Sequence, residues 1–195
     1  MNELIIATQN AHKAAEIAAI LPPDWRIRTL ADFPGLSPAR ETGRTFADNA
    51  AQKALTISAQ VDGWVLADDS GLCVEALGGS PGILSARYAG EHGNDSANNA
   101  KLLAELRVLP SLSPFYAHFA CAMCLARHGE VCASFEGVLR GRITLSPRGA
   151  HGFGYDPLFV PEGYKDTTLA ELPADVKNSI SHRARALQQL ADWWK

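Results

Sequence analysis

The sequence predicts an α/β protein: a mixed sheet with helices outside it and polar loops at several strand ends. Three observations carry this. The chain opens with a β-α-β pattern over residues 4–30. Two long strand-like segments, 115–127 and 131–145, flank His128-Gly129-Glu130 and read as an antiparallel hairpin. The loops after the apolar segments carry glycine, carboxylate and amide groups, and in open α/β sheets such strand ends are where ligands sit.

Taken in order, LIIAT (4–8) reads as a short buried strand leading through QNAH into a helix, with Ala14, Ile17, Ile20 and Leu21 on one face. Pro22-Pro23 stops that helix. RIRTL (26–30) is a second strand, and residues 31–44, with two prolines and two glycines, form a loop. Thr45 reads as an N-cap with Asp48 as its capping-box partner. Phe46, Ala50, Ala54, Ile57 and Val61 make the buried stripe that follows. The strand Trp64-Val65-Leu66-Ala67 delivers Asp68 and Asp69 into a tight bend before a second apolar segment, Leu72-Cys73-Val74. Residues 78–90 are too glycine-rich for a regular element and read as a shaped loop. Asp95 or Ser96 caps a helix carrying Leu102, Leu103 and Leu106. Gly137 and Gly141 mark bulges or bends in the second arm of the hairpin. A glycine-rich loop at 148–157 runs into Leu158-Phe159-Val160, and the last helix carries Ile180, Ala184, Leu187, Ala191 and Trp194.

A chain of 195 residues suits one domain with a substantial core, and no repeat, low-complexity tract or linker divides it. The formal charge of −3, with no Lys/Arg cluster, argues against a nucleic-acid partner. The longest apolar run, within Phe119–Ala126, is too short to span a bilayer. The N-terminus has no basic region ahead of its short apolar stretch, so the expected compartment is the cytoplasm. Four cysteines fit that expectation. Cys121 and Cys124 form a C-x-x-C, but their odd spacing on a strand sends the thiols to opposite faces, and no second pair completes a zinc site. All four are read as buried thiols.

Four segments carry chemistry. Thr8, Asn10 and Lys13 place a hydroxyl, an amide and an ammonium where a strand gives way to a helix, a setting that favours anions. The same Thr8 and Asn10 would serve simply as caps. Glu41 in a loop, with Asp68 and Asp69 at a strand end, makes a set of like charges that a divalent metal would neutralise; turn-forming aspartates are the alternative. Lys177, His182 and Arg183 cluster at the start of the final helix, where cations oppose the dipole and so suggest ligand donors, or else a solvated first turn. Phe153 and Tyr155, flanked by glycines, can offer a ring for base stacking, and Asp156 an acceptor for a base edge; an aromatic-anchored turn explains the same residues. His12, His92, His118, His128 and His151 have no comparable setting.

The segments ATQNAHK, ETGRTFADNAAQKA, ADDSGLCVEALGGSPGILSARYAG, GFGYDPLF and ISHRARAL occur in this order. Together they resemble the inosine triphosphate pyrophosphatase family, particularly its bacterial dITP/XTP-hydrolysing members, from about residue 4 to residue 190. The resemblance implies a single domain over 1–195, with an elongated mixed sheet flanked by helices and two lobes around a nucleotide cleft. It implies hydrolysis of deaminated purine nucleoside triphosphates at the α–β phosphate bond, a requirement for Mg²⁺, and a homodimer. By position, Thr8, Gln9, Asn10, Ala11, His12 and Lys13 match the family's phosphate-binding turn, and Ser70 a substrate contact. Glu41 and Asp69 match the metal-associated carboxylates, with Asp68 a further candidate, and Asp69 matches the proton acceptor. Phe153, Gly154, Tyr155 and Asp156 match the base-binding loop; Lys177, His182 and Arg183 match donors to the base. Asp48 stands where the family usually has Glu, and Leu84 where it usually has Tyr. A Maf-type pyrophosphatase of other base preference and a non-catalytic nucleotide sensor are the competing readings; the SHR and FGYD motifs favour the inosine/xanthosine type.

Overall fold

The structure is a computed structural model that describes residues 2–22, 24–37, 39–110 and 114–195. Pro23, expected to help stop the first helix, and Pro38 of the following loop lie outside the described residues. Six strands run in the order β2-β1-β3-β4-β5-β6, with β1 at Asn2–Ile6, β2 at Trp25–Thr29, β3 at Trp64–Val74, β4 at Phe115–Arg127, β5 at Glu130–Ile143 and β6 at Phe159–Pro161. The sheet is mixed. β1 is parallel to β2, with Leu4 opposite Ile27, and to β3, with Ile5 opposite Val65, whereas β6 is antiparallel to β5. The helices are α1 (Ala11–Ile20), α2 (Phe46–Ser58), α3 (Asp95–Arg107), α4 (Ala174–Ile180) and α5 (His182–Trp193).

The chain forms two compact units, one of Met1–Asp69, Cys121–Gly137 and His182–Lys195, the other of Ser70–Ala120 and Val138–Ser181. In the first unit the central strands β1, β3 and β4 are apolar on both faces, as strands covered on both sides must be. Leu4, Ile6, Leu66, Cys121, Met123 and Leu125 pack with Ile17 of α1 and with Ala186, Leu187 and Leu190 of α5. The alternate residues Ile5, Ala7, Val65, Ala67, Ala122 and Cys124 pack with Ala50, Ala54 and Ile57 of α2. The second unit has one core, in which Leu72 and Val74 of β3 meet Leu102 and Leu106 of α3 and the ring of Phe159.

Local chemistry accounts for most boundaries. The β-α-β opening and the Thr45–Asp48 capping box are as expected; the hairpin's first arm is too, but its second arm runs Glu130–Ile143 rather than 131–145, so Glu130 is in the strand and not in the turn. The hairpin turns at His128 and Gly129, both at positive φ (53° and 78°), which two-residue hairpin connections favour.

Several expectations need correction. β1 ends at Ile6, short of Thr8. Asp68 and Asp69 lie inside one continuous strand, not in a bend, because each carboxylate finds cations on its own face. The 78–90 loop contains a 3-10 helix at Gly82–Arg87. Asn94, rather than Asp95 or Ser96, caps α3 by accepting the Ala97 N–H. Ser181, with extended backbone, separates α4 from α5, so Ile180 is not on the last helix, whose buried face is His182, Arg183, Ala186, Leu187 and Leu190. Gly137 and Gly141 serve close approach: a Cβ at Gly137 would stand 1.9 Å from the His182 carbonyl oxygen, and one at Gly141 2.3 Å from that of Val160. Cys121 and Cys124 do point to opposite faces, with burial pushing their thiols up to about 12 and about 11, but Cys132 is exposed and Cys73 only partly buried.

Candidate active site

Strand alternation sets the centre of the site in the first unit. Because Leu66 faces α1 and α5, Asp68 two residues on faces them too; Asp69 follows Val65 and Ala67 toward α2. Two adjacent carboxylates thereby point to opposite faces of the sheet, and each has its own contact partners.

Asp68 is fully buried. Its Oδ2 lies 3.1 Å from Lys13 Nζ and 3.4 Å from Arg183 Nη2, and Arg183 Nη1 also donates to Glu16 Oε2. Burial alone would raise the Asp68 carboxyl, but the charges of Lys13, Arg183 and Lys53 outweigh it and hold the group well below the usual carboxylate range. Burial likewise opposes the charge on Arg183, and Asp68 leads the groups that keep its guanidinium protonated.

Asp69 accepts from Asn49 Nδ2 at 3.0 Å, and its Oδ1 is 3.2 Å from Lys53 Nζ. Lys53 also lies 3.1 Å from Glu41 Oε1, so one ammonium joins both expected metal carboxylates. Burial, helped by the Glu41 charge, pushes the Asp69 carboxyl above its usual value against the pull of Lys53, Lys13 and Asn49. One buried strand thus holds a firmly ionised aspartate next to one whose carboxyl is pushed up.

The turn at the start of α1 differs from a bare anion cradle. Asn10 is the N-cap: its Oδ1 accepts the His12 and Lys13 N–H groups at 3.0 and 3.2 Å, and Thr8 Oγ1 accepts the Asn10 N–H at 3.2 Å. The carboxamide occupies two backbone donors that an anion would otherwise meet. Gln9, Ala11 and His12 are exposed, and Thr8 and Lys13 are half-buried.

The base-loop residues lie in the second unit, where Ser70 is half-buried on β3. Asp156, expected to meet a base edge, is buried; its Oδ2 accepts the Phe153 N–H at 2.9 Å and pairs with Lys177 Nζ. The Lys177 ammonium also stands 4.8 Å from the centroid of the Phe153 ring. Tyr155 is not a stacking ring: it packs in the core and donates its hydroxyl to the Ser85 carbonyl at 2.9 Å. Of the two aromatic residues, Phe153 is partly exposed and Tyr155 is buried. Lys177, His182 and Arg183 do not cluster on one helix. Lys177 is on α4, whereas His182 and Arg183 open α5, with Gly137 packed against the His182 carbonyl.

Sequence reasoning missed Lys53, Asn49 and Glu16. A signal for two of them was present: Asn49 and Lys53 are one turn apart on α2, beside its apolar stripe, where a polar pair needs a partner.

Among the described residues no group of three or more His, Cys, Asp or Glu is placed to hold a metal ion, so a cation here would draw on two carboxylates and on oxygens from outside the chain. Glu41 and Asp69 present carboxylate oxygens within 3.2 Å of a single point, the Lys53 nitrogen, and Mg²⁺ favours one or two carboxylates plus substrate phosphate oxygens.

The profile of the Ham1 family matches residues 4–193. A dITP/XTP pyrophosphatase of Shouchella clausii is 46% identical over 192 residues, covering 98% of this chain and 96% of that one. That of Geobacter sulfurreducens is 48% identical over 194 residues, with coverage of 98% and 96%. Among solved structures, a HAM1 protein from Coxiella burnetii superposes with a TM-score of 0.88 at 36% identity, covering 100% of this chain and 98% of that one. The dITP/XTP pyrophosphatase of Mycobacterium abscessus gives 0.75 at 42% identity, covering 96% and 98%. Sequence and fold agree over essentially the whole length, and the chain belongs to the Ham1 family.

Proposed function

We propose that this protein hydrolyses deaminated purine nucleoside triphosphates (ITP, dITP, XTP and dXTP) to the monophosphate and pyrophosphate. The observation that carries the reading is the Asp68–Asp69 pair, split across one strand and set among Lys13, Lys53 and Arg183, in a chain whose full-length relatives are named for this activity. Lys13 and Lys53 supply positive charge for a triphosphate, and Ser70 follows directly with a hydroxyl. Asp69, of raised basicity, takes the proton from the attacking water. Asp68 stays ionised and fixes Lys13. Glu41 and Asp69 would hold Mg²⁺, which when bound acts as a Lewis acid on phosphate oxygens. Phe153 offers the stacking face. Lys177 and His182 carry donor hydrogens, the type that pairs with the O6 acceptor of hypoxanthine and xanthine and not with the amino group of adenine, whereas Arg183 is taken up by Asp68 and Glu16. The resemblance to the pyrophosphatase family supports a cytoplasmic homodimer. Among the described residues no helix is long and apolar enough to cross a membrane.

A nucleotide panel with and without Mg²⁺ tests the reading. The kcat/KM for ITP should exceed that for ATP by about 10²-fold or more, since unpaired buried donors discriminate strongly. EDTA should abolish turnover and Mg²⁺ restore it. Equal rates with ITP and ATP, or full activity in EDTA, would count against the assignment.

A further inference from the structure

Gly154 follows Phe153 in the chain, two residues before the buried Asp156, at φ +64°. A Cβ there would meet nothing within 4 Å, so glycine is present for its backbone conformation and not for space. Something must then hold that conformation. Both polar groups of the residue are engaged by α3. The Gly154 N–H donates to Asp95 Oδ2 at 2.6 Å, and the Gly154 carbonyl accepts from Asn99 Nδ2 at 2.8 Å. Asp95 and Asn99 are one helical turn apart on the same face, so a rigid element grips one residue from both sides. Asp95 is not needed to cap its own helix, because Asn94 does so. Its carboxylate lies in the first turn and makes a charge-assisted bond to the Gly154 N–H. Asn99 Oδ1 is buried without a hydrogen-bond partner among the described residues, an unfavourable arrangement that the bond to Gly154 offsets.

We propose that Asp95 and Asn99 are positioning residues which, by clamping Gly154, fix the pose of the Phe153 ring and thereby set base recognition. The role rests on the functional reading above. Neither side chain is assigned a contact with substrate. Phe153 has its N–H tied to Asp156 and its ring beside the Lys177 ammonium, so the orientation of the next peptide determines where that ring can stand.

The test compares Asp95→Ala and Asn99→Ala with Asp95→Asn, whose amide oxygen still accepts the Gly154 N–H. Steady-state kcat and KM are measured for ITP and ATP, with inorganic tripolyphosphate as a competitive probe that has no base. The alanine variants should raise KM for ITP about tenfold and narrow the ITP-to-ATP ratio of kcat/KM, with tripolyphosphate inhibition unchanged. Asp95→Asn should recover most of the loss. If an alanine variant fails to fold, Asn99→Asp keeps the size of the side chain, puts an acceptor against the Gly154 carbonyl, and should raise KM in the same way. A fall in kcat with KM and selectivity unchanged, or tripolyphosphate inhibition weakened in parallel, would overturn the clamp. No ITP turnover in the unmodified protein would overturn the functional reading and this role with it; normal turnover with unaltered variants would overturn the clamp alone.

Discussion

Asp69→Asn should lower kcat for ITP by about 10²–10⁴-fold, the range for loss of a positioned general base, while leaving the protein folded. The asparagine is nearly isosteric, and its amide oxygen can still accept from Asn49 or Lys53, which now reach Asp69 at 3.0 and 3.2 Å. The sign of the stability change follows from the raised native carboxyl value. An acid whose value is raised on folding binds its proton more tightly when folded. Its ionised form therefore destabilises the native state at neutral pH, and stability rises as the pH falls through the native value. Removing the charge should leave the thermal midpoint at pH 7 no lower than that of the parent. In the parent, kcat/KM should fall on acidification as Asp69 becomes protonated, since the protonated carboxyl cannot take a proton. Retained turnover in Asp69→Asn, measured by pyrophosphate release, would remove the proposed base.

Arg183→Ala should destabilise the protein by about 3–5 kcal/mol, the cost of breaking a buried pair and leaving a charge behind. The guanidinium is 1% exposed and joins Asp68 to Glu16, so its loss affects β3, α1 and the first turn of α5 together. Arg183→Lys should recover only part, because an ammonium lacks the planar fork that reaches two carboxylates. For Asp68 the pH dependence has the opposite sign to that of Asp69. Its native value is depressed, so its stabilising contribution is complete above the ordinary value of 3.8 and is lost as the pH falls toward the native one. The gap between parent and variant should therefore be widest near neutrality and shrink below about pH 4. Urea unfolding across that range measures it, and a loss under about 1 kcal/mol at pH 7 would contradict a structural ion pair.

What the sequence revealed depended on whether a feature is local. The Thr45–Asp48 box, the turn at His128-Gly129 and the opposed thiols of Cys121 and Cys124 all follow from period and turn chemistry within a few residues. The Asp68–Asp69 pair was visible as an anomaly, but its explanation was not. Two carboxylates read as a bend because their partners, Lys13, Arg183, Asn49 and Lys53, come from three helices far away in sequence. The base loop shows the same limit. Phe153 and Tyr155 look alike on the page, yet the second ring is drawn into a core through its bond to Ser85, and Asp156 is taken up by Lys177. The break at Ser181 was hidden because apolar spacing continues across it from Ile180.

The most direct measurement is phosphorus NMR of ITP incubated with the purified protein and Mg²⁺, with ATP in a parallel sample. Inosine monophosphate and pyrophosphate should appear in equal amounts, with no orthophosphate and little change in ATP over the same time. Release of orthophosphate from ITP, or consumption of ATP at a comparable rate, would contradict the proposed activity.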